Sequence, residues 1–252
     1  MFFESHAHYD DRRFDGDRDE VLAGLKAAGV DTVVHASDTV ASSRRGLALA
    51  EEYGFIYVAV GVHPHNASRM KDGDIDLLRR LAGHKKAVAI GEIGLDFHYD
   101  NSPRDVQQKR FGEQLALSLE TGLPVIIHSR EADRLTFDMI KESGVRRGVI
   151  HCYSGSADMA AEYVRLGFHI GVGGVVTYPS ARRLVETVRA VPMSAILIET
   201  DCPYLSPEPM RGRRNDSSNL VYINKKIAEI KGTSPEEVAG ITKENAERLF
   251  EI

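Results

Sequence analysis

The chain has 252 residues, 42% of them apolar and 27% charged, which is enough to bury one full-sized core, and its net charge of −5 excludes a protein that coats nucleic acid through bulk positive charge, though not a local phosphate site. Two cysteines are too few for a disulfide framework, and no apolar run approaches the roughly 18 to 20 residues of a membrane span. With no basic segment leading into an apolar one near the start, the expected setting is reducing and cytoplasmic, with no membrane.

The first strand candidate, MFFESH (1–6), leads into ESHAHYD, where His6 and His8 stand two apart. Side chains alternate faces along a strand, so both imidazoles project the same way. Strand candidates then recur at TVVHAS (32–37), FIYVAVGVH (55–63), AVAIGE (87–92), PVIIHS (124–129), GVIHC (148–152), FHIGVG (168–173) and AILIET (195–200). Helix-like segments separate them at 17–29, 40–54, 74–83, 103–122, 131–144, 158–167 and 181–191, most ending on glycine as helix C-caps prefer. Near the end, Ser234 before Pro235 reads as an N-cap followed by proline at the first helical position, opening a closing helix on the outside. Runs such as AVAIG and AILIE are apolar throughout, as strands buried on both faces are, and regular alternation with helices gives parallel connections. Eight such units close into a (β/α)₈ TIM barrel, expected as a single domain over 1–252. A doubly wound open sheet is the weaker alternative: no G-x-G-x-x-G follows a strand, and GVGG (171–174) lacks the spacing.

On that scaffold the ionisable residues fall at one end. His6 and His8 end the first strand, His63 and His65 follow the third, and Glu92, His128 and His151 end the fourth, fifth and sixth; Asp201 follows the eighth. The C-terminal strand ends form the active-site face of such a barrel, so these residues converge. Imidazoles and carboxylates without a required thiolate suit Zn²⁺, Mn²⁺, Fe or Ni, with Mg²⁺ held more loosely. The six proposed metal ligands, His6, His8, Glu92, His128, His151 and Asp201, are too many for one catalytic ion. Two divalent ions about 3.5–4 Å apart would use them, with Glu92 as the bridge and Asp201 completing the first shell. His35 has no accompanying motif. His84, His98 and His169 read as surface, loop or outward-facing residues, Cys152 reads as a buried hydrophobe turned from the mouth, and neither Cys152 nor Cys202 reads as a nucleophile.

The blocks SHAH (5–8), GVHPH (61–65), GEIGLDFH (91–98), PVIIHSR (124–130), HCYSG (151–155) and ETDCPYLSPEP (199–209) together resemble the signatures of the TatD family of metal-dependent deoxyribonucleases, among the amidohydrolase-like barrels. The resemblance spans nearly the whole chain. It implies that His6, His8, Glu92 and Asp201 hold one ion and Glu92, His128 and His151 the other. It also implies hydrolysis of phosphodiesters, as exonucleolytic trimming of DNA ends, with divalent metal and no organic cofactor. The chain departs from the family pattern at Glu4, where aspartate is common, at Pro179, where lysine is usual, and at Asp216-Ser217, where Glu-Pro is usual. These changes bear on substrate choice rather than on the metal core.

In the expected mechanism the ions lower the pKa of a bound water towards about 7. Asp201 takes its proton, Glu92 bridges, and His63 and His65 donate to a phosphate oxygen as charge builds. Arg130 and the group Arg211, Arg213 and Arg214 are candidates for flanking phosphates, and Tyr153 and Tyr204 either stack a terminal base or belong to the core. The substrate is expected to be DNA, with RNA open. Two other readings use the same residues: an amidohydrolase acting on a cyclic amide or ester (lactone), and a noncatalytic protein that keeps its metal for structure. The first often bridges its metals with a modified lysine, and the fourth strand has none.

Overall fold

The computed structural model describes residues 1–252. Its eight strands are β1 (Phe2–Ala7), β2 (Val30–Ala36), β3 (Ile56–Val60), β4 (Ala87–Asp96), β5 (Val125–Arg130), β6 (Gly148–Ile150), β7 (Phe168–Val172) and β8 (Ile196–Ile198). They pair in parallel in the order β1 to β8, and the ring is completed between β8 and β1 by a single bridge, Ala7 to Cys202. Two backbone bonds reinforce that seam: the His8 amide donates to the Cys202 carbonyl at 2.8 Å, and the Asp201 amide to the His6 carbonyl at 3.0 Å.

The outer helices are α1 (Arg18–Gly24), α2 (Val40–Glu52), α3 (Asp74–Ala82), α4 (Arg104–Thr121), α5 (Asp133–Ser143), α6 (Ala157–Arg165), α7 (Arg182–Ala190), α8 (Leu220–Lys231) and α9 (Pro235–Phe250). Ser234 caps α9 by accepting the Glu237 amide at 3.1 Å, and α4 and α5 end on Gly122 and Gly144 with φ of 73° and 87°, which a side chain would disfavour. Strands sandwiched between barrel interior and helices must be apolar on both faces, and all ten residues of β4 are buried.

The barrel interior is plugged at its N-terminal end by Phe3, Val34, Ala59, Ala89, Ile126, Val149 and Leu197, against which α9 lays Ala246, Leu249 and Phe250. The Phe3 and Phe250 rings stack 5.8 Å apart, 11° from parallel.

Every strand ends off its expected limit, four of them by two residues or more, and β3 stops at Val60 rather than at residue 63. β4 runs four residues past Glu92, whereas β6 and β8 stop at Ile150 and Ile198. Past these last two, Cys152 and Asp201 take left-handed backbone, φ 44° and 56°, which ends the extended run. Non-glycine residues in that region cost of order 1–3 kcal/mol and gather at functional sites.

Candidate metal centre

Two loops are set by one helix face. Gln107 and Gln114 stand two turns apart on α4 and are both buried. Gln114 accepts the Val62 amide at 2.7 Å and donates to its carbonyl, fixing the loop after β3 that carries His63 and His65. Gln107 does the same for the end of β4, accepting the Asp96 amide at 2.8 Å and donating to the Asp96 and Ser102 carbonyls. On the other side of the mouth, Glu4 joins β1 to β8 by accepting the Thr200 amide at 2.8 Å and its hydroxyl at 2.6 Å. Burial pushes the Glu4 carboxyl up to about 8, against the pull of the Thr200 bonds.

Glu92 lies at the centre. Its Oε2 is 3.3 Å from Nε2 of His6 and 3.7 Å from Nε2 of His8. Its Oε1 is 2.9 Å from Nδ1 of His128, 3.2 Å from Nε2 of His151 and 3.4 Å from Nε2 of His63. Asp201 joins the first group, its Oδ1 3.2 Å from His8 and 3.7 Å from His6. Burial opposes ionisation of Glu92, yet the His151 imidazole above all, with the hydrogen bond from His128, holds it well below the usual carboxylate range. All six residues read from the sequence as ligands therefore converge, and each oxygen of Glu92 serves a different set.

The far side of each ring shows which nitrogen is free. A carbonyl only accepts, so Nδ1 of His8, 2.9 Å from the Ala36 carbonyl, carries its proton and leaves the Nε2 lone pair facing Glu92 and Asp201. His128 has Nε2 3.0 Å from the Asp96 carboxylate, which leaves Nδ1 facing Glu92. His151 has Nδ1 3.2 Å from Glu199 Oε1, close enough for charge interaction though without hydrogen-bond geometry, and presents Nε2 to Glu92. Such outer acceptors are the usual supports of metal-ligating histidines. His6 stacks on His151 at 3.7 Å, and its Nε2 lies only 3.1 Å from Nε2 of His8. Buried lone pairs and carboxylates converging in this way fit a divalent cation.

His63 is oriented the other way. Its Nδ1 accepts the His65 amide at 3.1 Å, so in the neutral ring the proton sits on Nε2 and points at Glu92 as a donor. Burial pushes its pKa down to about 4, which keeps the ring neutral. His63, Glu92 and His128 do lie within ligating distance of one another, but this tautomer does not offer a cation the lone pair it needs. His65 bonds Asp96 through Nε2 at 2.9 Å.

The centre opens into a cavity of about 640 Å³, lined by His8, Glu92, His128, His151 and Asp201 together with Asp10, Arg12, Asp38, Arg45, Asn66, Asp96, Tyr99, Arg130 and Tyr204 among others, with His6 buried behind it. Arg130 thus lies in the mouth as expected. Several expectations need correction. Tyr153 is buried, its hydroxyl donating to the Ser156 carbonyl, so it serves the core rather than a base. Arg214 is tied to Asp17 at 2.6 Å and Arg211 lies over the Tyr178 ring at 4.3 Å; like Arg213, neither lines the mouth. His35, fully buried in β2, sits 3.5 Å from Asp10 beneath α2. Cys152 lies past the end of β6, where strand alternation no longer sets its direction; burial pushes its thiol up to about 12, and that of Cys202 higher still.

Asp96 and Glu199, the acceptors behind His128 and His151, escaped the sequence reading. An acid within the apolar run of GEIGLDFH was the available signal for the first, and the acid two residues before Asp201 for the second.

The barrel and its imidazole–carboxylate cup define a metal-dependent hydrolase. More particularly, residues 3–251 match the family described as TatD related DNase, and the chain belongs to that family. It is 42% identical over 254 residues to the uncharacterized metal-dependent hydrolase YabD of Bacillus subtilis, covering 100% of both chains. It is 36% identical to the 3'-5' ssDNA/RNA exonuclease TatD of Cronobacter sakazakii, covering 94% of this chain and 93% of that protein. Among solved structures, the TatD homolog YJJV of Escherichia coli K12 superposes with a TM-score of 0.94 at 33% identity, over 100% of this chain and 98% of that one.

Proposed function

We propose that residues 1–252 act as one domain that hydrolyses phosphodiesters, trimming single-stranded DNA, and also RNA, from an end with two divalent ions. The observation that carries this reading is Glu92, whose two oxygens face separate sets of imidazoles. His6, His8, Glu92 and Asp201 hold one ion and Glu92, His128 and His151 the other; Mg²⁺, Mn²⁺ or Zn²⁺ suits the donors. When bound, the ions supply the positive charge that activates water and neutralises phosphate. Without them a mouth lined by Asp10, Asp38, Glu92, Asp96 and Asp201 would repel a polyanion.

Asp201 accepts the proton of the attacking water. His63, whose Nε2 proton faces Glu92, turns that donor to a non-bridging phosphate oxygen as the oxygen's charge grows, from the loop that Gln114 anchors. His65 and Arg130 bind the flanking phosphate. The absence of lysine from β4 favours this chemistry over an amidohydrolase with a lysine bridge. The free cysteines accord with a reducing cytoplasm, and no helix is long and apolar enough to cross a membrane.

The test is an assay of the purified chain with Mn²⁺ or Mg²⁺ on single-stranded DNA, RNA, a generic phosphodiester, a lactone and a cyclic amide, beside metal analysis. Turnover of the phosphodiesters, abolished by chelation, is expected. Turnover of the lactone or amide alone would refute the reading.

A further inference from the structure

Two solvent-facing tyrosines flank the metal centre from opposite sides of the barrel. Tyr99 follows β4 and Tyr204 follows β8, four strands apart in a ring of eight, and both line the same mouth. They are 55% and 40% exposed, whereas Tyr9, Tyr153 and Tyr163 are buried.

Each ring is built in rather than loosely placed. The Tyr204 amide donates to the Asp201 carbonyl at 2.9 Å, its carbonyl accepts Asn215 Nδ2 at 2.7 Å, and its hydroxyl donates to Asp11 at 2.9 Å. The Arg13 guanidinium lies 4.3 Å from its ring centre. Across the mouth, the Tyr99 amide donates to Asp96 at 2.8 Å and the Arg130 guanidinium lies 4.8 Å from its ring centre. Both rings also meet the histidine cup edge-on: Tyr204 stands 6.1 Å from His8, on the Oε2 side of Glu92, and Tyr99 stands 5.4 Å from His65, which neighbours His63 and His128 on the Oε1 side. Both tyrosines of the mouth are thus layered with an arginine, Arg130 lining the mouth itself and Arg13 lying behind it beside Asp11, with Glu92 between the two rings.

We propose that Tyr99 and Tyr204 are the two base-stacking platforms of a single-stranded substrate, one taking the nucleobase on each side of the phosphate being cleaved. This rests on the phosphodiesterase reading and deepens it. Stacking tolerates any base because every base has a π-face, and arginine layered on the ring adds to it while reaching for backbone phosphate. A duplex keeps its bases stacked inside, so bases splayed to opposite walls require a single strand. The arrangement makes specificity local to two nucleotides and indifferent to sequence.

Short single-stranded DNA substrates separate the two platforms: one intact, one lacking the base on one side of the scissile phosphate, and one lacking it on the other. With the wild-type chain and Mn²⁺, each missing base is expected to lower kcat/KM roughly 5- to 150-fold, the effect of losing one stacked base. Tyr99→Ala should become indifferent to one missing base and Tyr204→Ala to the other, each mostly through KM. Tyr99→Phe and Tyr204→Phe keep the ring and should behave as wild type at both positions. The proposal is overturned if the wild type ignores base removal, if both alanine variants become indifferent at the same position, or if neither does. Hydrolysis of a generic phosphodiester alongside such a failure leaves the phosphodiesterase reading standing. If no phosphodiester is hydrolysed, both fall.

Discussion

The two ends of the barrel are built from the same strands and obey opposite rules. At the floor, alternate interior residues from Phe3 to Leu197 meet Leu249 and Phe250 of α9, with no charge among them. At the mouth, a few residues further along the same strands, buried histidines and acids face one another at 2.9–3.7 Å. Burying polar and charged groups costs free energy that only bonds and a cation offset, so the mouth draws its rigidity from the floor and from outer acceptors such as Gln107 and Gln114. Apolar packing is concentrated at one end and the ionisable groups at the other.

The sharpest way to break that comparison is at Glu92. Glu92→Ala removes the acid shared by both imidazole sets and should cut turnover roughly 10³-fold or more, given several kcal/mol of lost charge stabilisation, while circular dichroism and cooperative melting show a folded chain. Collapse of the fold here and in His128→Ala would make the mouth structural and void the division. At the floor the expectation inverts: Phe250→Ala deletes half of the Phe3 stack and should cost about 3–5 kcal/mol in denaturant unfolding, with kcat per folded molecule unchanged. A kcat loss matching that in Glu92→Ala would show the two ends to be coupled.

Subtler changes sharpen it. Glu199→Gln keeps an acceptor for the Cys152 amide but removes the charge behind His151, and should weaken metal binding about 10- to 100-fold by titration calorimetry, with melting of the metal-free chain little changed. Unaltered affinity would limit Glu199 to packing. The smallest effect is expected beneath the mouth, at Gly46 in α2. Alanine favours a helix by about 1 kcal/mol over glycine, yet a Cβ at this position would lie 2.3 Å from His35 Cδ2 and 3.1 Å from Val58 Cγ1. Overpacking costs about 1–3 kcal/mol, so Gly46→Ala should lower the melting temperature by a few degrees; a rise would mean that His35 yields freely.

What was legible in the sequence follows the same division. Strand count, order and barrel class came through because a buried parallel sheet writes itself as repeated apolar runs between amphipathic segments, and the convergence of the six proposed ligands could be read because each ends or follows such a run. Asp96 did not, since β4 continues past Glu92 through Gly94, where φ is 144° and a side chain would meet the His128 carbonyl at 1.9 Å. The expected strand stops at Glu92, so the alternation that carries Asp96 into the mouth beside His128 lies beyond its limit. Tyr153 stands two residues past His151, yet such nearness says nothing of direction once a strand has ended, and the basic group Arg211, Arg213 and Arg214 misled because only the tertiary arrangement shows that Arg214 is occupied by Asp17. Tyr99 carried no pattern of its own, because a loop residue four strands from its counterpart acquires meaning only when the ring is closed.

The join between β8 and β1 has a final consequence. Its two reinforcing amides belong to His8 and Asp201, and the carbonyl opposite the latter to His6, so three members of one proposed ligand set are also the stitches of the cylinder. Closing the ring and assembling that half of the cup are one event, and any breathing of this thinnest joint scatters the ligands together. A cation seated there would act as a rivet, so its departure should loosen the wall of the barrel itself.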